Sequence, residues 1–334
     1  MTSAPDRESP DEFRTIVRPG RLTPGLNYRD SILCLGSCFA ESMGAFLSER
    51  KFLVDINPFG VLYNPLSISR ALDLLLGEGD FSREDLNERN GLWYSFDHHG
   101  SFSAPDPDQC LAGINTRLRK ARETLRHTSR IIITLGTARV HEREGMVVAN
   151  RHKLPEREFT ERRTNIPEIV AVLSGVMERV LEMNADARFL FTVSPIRHWK
   201  DGPMENQYSK AMLICAVREL TERFERADYF PAYEIMLDDL RDYRFYDSDM
   251  LHPSRAALDY IWRRFRDACL DRDCLDAMTE IESLARAAAH RPLHPDAPDH
   301  LSFMARHLTM ARAMAKKFPH LDFEPEIAHF SPPY

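Results

Sequence analysis

The chain has 334 residues, enough for one large α/β domain with extensions or for two domains, and enough to bury a core without disulfide staples. Its 44 Lys and Arg against 51 Asp and Glu leave a net charge of −7, which argues against a chain-wide nucleic-acid or anionic-membrane footprint and leaves room for a local basic pocket. The six cysteines form no CxxC pair and no zinc-finger set with histidine, so a reducing compartment and no bound metal are expected.

In chain order, residues 1–12 read as a polar, Pro-containing tail. They carry no basic n-region and no apolar run, so they are not read as a signal peptide, and no run of about 18 apolar residues follows anywhere. The expected location is the cytoplasm, with no membrane partner. Phe13-Arg-Thr-Ile-Val17 alternates like an edge strand. The apolar run Ile32 to Leu35 predicts a buried strand, stopped by Gly36 and Ser37. Phe39, Met43, Phe46 and Leu47 then recur at the spacing of one helix face. Phe52 to Ile56 predicts the second strand of a βαβ unit, ending in Asn57-Pro58-Phe59-Gly60. Asn64-Pro65 opens a helix through Leu76.

Trp93 to Phe102 is aromatic, polar and Gly-broken, which suits a loop or inserted hairpin. A helix over Pro107 to Arg126 leads to the β-branched run Arg130 to Leu135, a buried strand closed by Gly136-Thr137. Met146 to Ala149 suits a small hairpin, and Asn165 to Met183 a helix. Arg188 to Val193 is the next strand and stops at Ser194-Pro195-Ile196-Arg197-His198. A long helix is expected over Asn206 to Arg226, and a last strand within Tyr229 to Met236. Ser248-Asp249-Met250-Leu251-His252 precedes a helix from near Pro253 to Cys269. Two further helices, Asp276 to His290 and Leu301 to Lys317, form a Pro-separated extension. The expected organisation is a tail (1–12), an α/β domain (13–270) and a helical extension (271–334). The alternation predicts a three-layer α/β/α sandwich on a mostly parallel sheet.

Ligands of open α/β sheets bind beyond the carboxyl ends of the strands. The polar sequence lies there: Gly36-Ser37, Asn57 to Gly60, Gly136-Thr137 and Ser194 to His198, with Asp249-x-x-His252 after the last strand. Ser37, at a strand-to-helix turn, is either a helix cap or a nucleophile beside helix-start amides; the adjacent Cys38, near the same helix N-terminus, is the alternative nucleophile and ranks below Ser37 because the next residue in a turn usually points elsewhere. An unperturbed hydroxyl is a poor nucleophile and needs a base; His252 is placed to take its proton, with Asp249 orienting the imidazole. The competing reading has Asp249 capping the next helix. His98, His99, His152, Lys153, Arg197, His198 and Asn206 fall in loops expected at the same sheet edge. They suit recognition of a carboxylate, phosphate or sulfate, or mutual bonding within the loops.

Gly36-Ser37-Cys38-Phe39-Ala40 resembles the sequence that names the GSCFA family. The resemblance continues, in order, through Asn57-Pro-Phe-Gly60 with Tyr63-Asn-Pro65, Trp93 to His99, Ser194 to His198 with Asn206, Tyr229 to Glu234, Arg241 to Tyr246 and Asp249 to Ser254, covering roughly 13–264. That family is in turn similar to the GDSL/SGNH hydrolases. The resemblance implies a flavodoxin-like sandwich and ester hydrolysis or acyl transfer, with Ser37 as nucleophile, His252 as base and Asp249 as orienter. It implies an oxyanion hole from the Cys38 amide and the strand end carrying Asn57 and Gly60. The wider superfamily has an Asn shortly after the strand-end Gly. Here Gly136 is followed by Thr137-Ala138-Arg139, so an Asn must come from elsewhere, or Thr137 and backbone amides must serve. The expected activity is a serine esterase without cofactor, acting on O-acetyl esters of a carbohydrate or anionic small molecule. O-acyl transfer at the same site, and a non-catalytic glycan- or anion-binding protein, are the alternatives.

Overall fold

The computed structural model describes residues 15–294 and 297–331. In chain order its first half is β1 (Ser31–Gly36), α1 (Cys38–Glu49), β2 (Leu53–Ile56), α2 (Pro65–Leu76), β3 (Asn87–Arg89), β4 (Leu92–Tyr94), α3 (Pro107–His127), β5 (Arg130–Leu135), β6 (Arg139–Arg143), β7 (Met146–Val148) and β8 (Thr160–Arg163). The second half is α4 (Ile166–Met183), β9 (Arg188–Val193), α5 (Pro203–Arg223), β10 (Ala227–Tyr229), α6 (Ala232–Asp238), α7 (Arg255–Cys269), α8 (Arg272–Ala288), α9 (Pro298–Lys317) and α10 (Glu324–Phe330).

The central sheet has five parallel strands in the order β10-β9-β5-β1-β2. Counting only these strands along the chain, the order is 2-1-3-4-5, the flavodoxin-like arrangement. Strand periodicity divides the core. Ile32 and Cys34 of β1, Ile132 of β5 and Leu190 of β9 face α1, α6, α7 and the C-terminal helices. Leu33, Leu35, Ile131, Ile133, Phe189 and Phe191, one residue out of phase, face α2, α3, α4 and α5. Both faces are covered, which is why these strands read as continuous apolar runs. The helical extension is not separate: Met278, Ile281 and Leu284 of α8 share one core with Phe46 of α1 and Trp262 of α7.

Asn64, Asp106 and Asn165 cap α2, α3 and α4, each accepting the backbone N–H three residues on, with proline in the first turn. Beyond the sheet, β3 and β4 form a hairpin over Asn90-Gly91, and β7-β6-β8 a small antiparallel sheet. Two expectations are corrected. Tyr229 to Met236 is not a strand beyond Tyr229; Pro231 ends pairing and the chain enters α6. Thr15–Val17 form no strand, and the Val17 N–H donates to Asp239 Oδ1 at 2.7 Å. Phe13, Arg14 and the 1–12 tail lie outside the described residues.

Candidate active site

The site begins where β1 ends. Gly36 has φ +138°, and a Cβ there would lie 2.1 Å from the Thr134 carbonyl oxygen, so only glycine fits this close approach of β1 to β5. Ser37 follows as the N-cap of α1. Its backbone N–H donates to Thr134 O at 3.2 Å, and its Oγ accepts from Phe39 N at 3.3 Å. A cap side chain folds back over the second helical amide, and Ser37 is 1% exposed. The next residue, Cys38, is the first of the helix. Cys38 Sγ lies 3.7 Å from His252 Nε2, within hydrogen-bonding range for sulfur. Among the described residues Ser37 Oγ makes no hydrogen bond to the imidazole. Cys38, which the sequence reading had placed as an oxyanion amide, is the residue in contact with it.

His252 is held by Asp249 within one turn. Nδ1 lies 2.6 Å from Asp249 Oδ2, while the backbone N–H groups of Leu251 and His252 donate to Oδ1 at 2.8 and 2.9 Å. These amides first, and the imidazole after them, hold the Asp249 carboxyl down to about 2. An ionised carboxylate only accepts, so Nδ1 carries the proton and Nε2 offers its lone pair to the Cys38 S–H. Asp249 does not cap α7; Ser254 does, accepting from Ala257 N at 3.4 Å.

The turn is strained and clamped. Met250 sits at φ +59°. Arg197 donates from Nη1 to Met250 O at 2.9 Å and from its backbone to Leu251 O at 3.1 Å, with its guanidinium 4.0 Å from the centre of the Trp199 ring. Arg197 thus fastens the β9 strand end to the Asp249–His252 turn. His198, next along, has its N–H accepted by Asn206 Oδ1 at 2.9 Å. Its Nε2 is buried with no partner among the described residues, close against Gly136. Burial, then the Lys210 charge and His252, push His198 down to about 3, so it is neutral at working pH.

Lys210 is a residue that sequence reasoning missed. It is fully buried, and Nζ donates to Gly136 O and Ser194 O at 2.7 Å each, tying the ends of β5 and β9. Burial pushes it down to about 7, and the Cys38 sulfur pulls the other way. The available signal is the spacing of Asn206, Ser209 and Lys210 at i, i+3 and i+4, one buried polar stripe on α5. Burial also pushes the Cys38 thiol above its ordinary value; its own amide, the Phe39 amide and the Lys210 charge pull it down, and Glu41 pushes it up. Burial thus disfavours the thiolate form of Cys38.

The other expected residues divide. The Gly136 and Thr137 N–H groups are both taken by Tyr63 O, at 2.8 and 2.9 Å, and Thr137 Oγ1 bonds Ser209 Oγ at 3.1 Å. Neither is free to bind an oxyanion, because the loop after β2 already fills the space beyond β5. Gly60 N–H donates to Asn57 O at 2.8 Å and closes that turn. Asn57 Oδ1 accepts from Gly36 N at 2.9 Å, supporting the turn between β1 and α1, while its buried Nδ2 has no partner among the described residues. His98 is a core residue packed among Phe59, Phe81 and Phe102, and burial pushes it down to about 3. His99 and His152 line a different groove, with Lys153. The expected single His/Arg cluster is therefore two. Among the described residues no three His, Cys, Asp or Glu gather as a metal site, and no helix is long and apolar enough to cross a membrane.

No curated protein matches the chain. A solved structure from Streptococcus pneumonia, described in provisional terms as a platelet activating factor, covers 71% of this chain and 83% of its own, at 13% identity and a TM-score of 0.36. The model of the GSCFA domain protein, C-terminal domain, matches residues 281–331. The GSCFA family model matches residues 31–265, from β1 through the Cys38 turn and the Asp249–His252 turn, and the chain belongs to the GSCFA family.

Proposed function

We propose that this protein is a cysteine-nucleophile acyl enzyme acting on carboxylic esters, with Cys38 as nucleophile, His252 as base and acid, and Asp249 as the orienting carboxylate. The observation that carries the reading is the chain of contacts Sγ–Nε2 at 3.7 Å and Nδ1–Oδ2 at 2.6 Å. In the first step Sγ attacks the ester carbonyl carbon, the S–C bond forms and the thiol proton passes to His252 Nε2. The tetrahedral intermediate collapses, the C–O bond breaks, and the alcohol leaves with the proton from His252. Water attacks the resulting thioester, giving its proton to His252; the carboxylic acid leaves, and His252 returns the proton to the thiolate. The resemblance to GDSL/SGNH hydrolases supports the ester class. Where a sugar hydroxyl replaces water, the same residues perform O-acyl transfer.

The oxyanion donors in this reading are the Cys38 amide at the start of α1 and His198. In its Nε2–H tautomer, His198 offers a neutral donor beside Gly136, the strand end after which the wider superfamily has an Asn and this chain has Thr137. The test is p-nitrophenyl acetate turnover with and without an added sugar acceptor. Wild type is expected to release p-nitrophenol and to lose this activity on iodoacetamide treatment, with the label on Cys38. No turnover of any acetylated sugar or nitrophenyl ester by folded wild type would favour the non-catalytic binding alternative.

A further inference from the structure

A second concavity lies away from the Cys38 turn, between the β3–β4 hairpin, the loop at His99 and the segment 150–153. Its volume is about 610 Å³, and its lining includes Arg89, Tyr94, His99, Asn150, His152 and Lys153 but no Asp or Glu. Arg70, Arg117 and Arg162 each meet a carboxylate, Asp97, Asp55 and Glu168 respectively. Arg89 instead donates from Nη1 to the Lys153 backbone carbonyl, and neither Arg89 nor the exposed Lys153 ammonium has a carboxylate partner among the described residues.

The groove is also held in an unfavourable backbone conformation. His152 and Lys153 sit consecutively at φ +49° and +58°, a left-handed pair that costs about 1–2 kcal/mol per residue. Three contacts hold it: His152 N–H to Asn150 Oδ1 at 2.8 Å, His152 Nε2 to Ser95 O at 2.9 Å, and the His152 ring stacked 4.2 Å from that of Tyr94. Across the groove, His99 Nδ1 accepts from Ser101 N at 3.3 Å, so a neutral His99 carries its proton on Nε2 as a donor. The His99 wall is fixed to the catalytic side of the molecule. His99 N–H donates to Phe59 O at 2.8 Å, and a Cβ on Gly60 would lie 2.3 Å from His99 Cβ.

We propose that this groove is a recognition site for an oxyanion group, a phosphate, sulfate or carboxylate, with Arg89 and Lys153 supplying the charge and His99 a neutral hydrogen bond. Two cations without a carboxylate partner that line one groove free of Asp and Glu, on a strained, multiply tied segment, suit an oxyanion. The inference stands on the groove alone and does not require Cys38 to be a nucleophile.

The experiment is isothermal titration of the full chain with sodium phosphate, sodium sulfate and sodium glucuronate at constant ionic strength, with sodium chloride as control. These three arms separate phosphate, sulfate and sugar carboxylate as the source of the oxyanion. Saturable one-site binding of at least one probe is expected. It should weaken about tenfold or more in Lys153→Ala, be retained in Lys153→Arg, and be unchanged in Cys38→Ala. Lys153 is exposed and its ammonium makes no hydrogen bond or ion pair among the described residues, so Lys153→Ala reads binding rather than folding; Arg89→Gln serves as the second variant. Absence of saturable binding of all three probes, or equal binding by wild type and Lys153→Ala, overturns the proposal. Loss of ester turnover in Cys38→Ala with intact anion binding separates this inference from the catalytic one.

Discussion

Ser37 and Cys38 are neighbours in sequence with different partners, because Ser37 is the N-cap of α1 and Cys38 its first helical residue. Ser37 spends its hydroxyl on the Phe39 amide, and Cys38 projects toward His252. Ser37→Ala is expected to cost about 1 kcal/mol of stability in urea denaturation while keeping most of kcat. Asp249 is ordinarily a group of pKa 3.8 and is depressed here, so its native hydrogen bonds are fully present above that value and fade only as pH falls toward about 2. An acid limb of the kcat/KM profile in the range pH 5–7 therefore belongs to another group, and Asp249 stays ionised through it. His198→Ala is expected to lower kcat about 100-fold with little change in the rate of Cys38 alkylation, if its Nε2 serves only the oxyanion. Stopped-flow acylation against iodoacetamide kinetics measures both.

At the scale of elements, three strand ends and one turn are tied into a single platform. Asn57 holds the Gly36 amide, Tyr63 O takes the Gly136 and Thr137 amides, and Arg197 clamps the Met250–Leu251 backbone. Arg197 touches no reacting atom and acts as a positioning residue. Arg197→Ala is expected to lower kcat about tenfold or more with KM nearly unchanged, and Arg197→Lys to restore only part, since Lys lacks the planar fork and the stacking on Trp199. Much at this scale was legible in the sequence. The β-branched run of β5 and the helix opening at Asn64-Pro65 both read correctly, because they rest on local periodicity and capping chemistry. What was not legible was direction. Whether residue 37 or 38 faces the histidine is decided by the helix phase at its first residue, and Asp249 and His252 are more than 200 residues away. The His/Arg residues likewise looked like one cluster, since sequence places loops at a sheet edge without saying which side of the Gly60 turn they take.

At the scale of the whole molecule, Lys210 and the C-terminal helices brace the site from opposite faces. Lys210→Met leaves the Gly136 and Ser194 carbonyls without their buried donor, an expected loss of about 3 kcal/mol. The sign with pH follows from burial: Lys210 is held down to about 7 against 10.5 in the unfolded chain, so unfolding takes up a proton between these values and stability rises with pH from about 7 upward. Denaturation at pH 7 and 8.5 should show that rise in wild type relative to Lys210→Met. On the other face, Arg50 at the end of α1 meets Glu282 of α8 at 2.7 Å, and Lys51 meets Glu326 of α10 at 2.8 Å, above a shared core. The sequence suggested an extension without chemistry; the packing makes it the outer wall of the helix that carries Cys38. Truncation after Leu270 is expected to expose Met278-facing apolar surface on α1 and α7 and to aggregate the protein, read by light scattering.

The central claim is that the acyl group is carried on sulfur at position 38. Wild type should be mixed with p-nitrophenyl acetate, quenched in acid during turnover, digested, and the acetylated site located by tandem mass spectrometry. The account predicts acetyl on Cys38, removed by neutral hydroxylamine as a thioester is, present in Ser37→Ala and absent in Cys38→Ala. Acetyl on Ser37, or turnover that persists in folded Cys38→Ala, would contradict it.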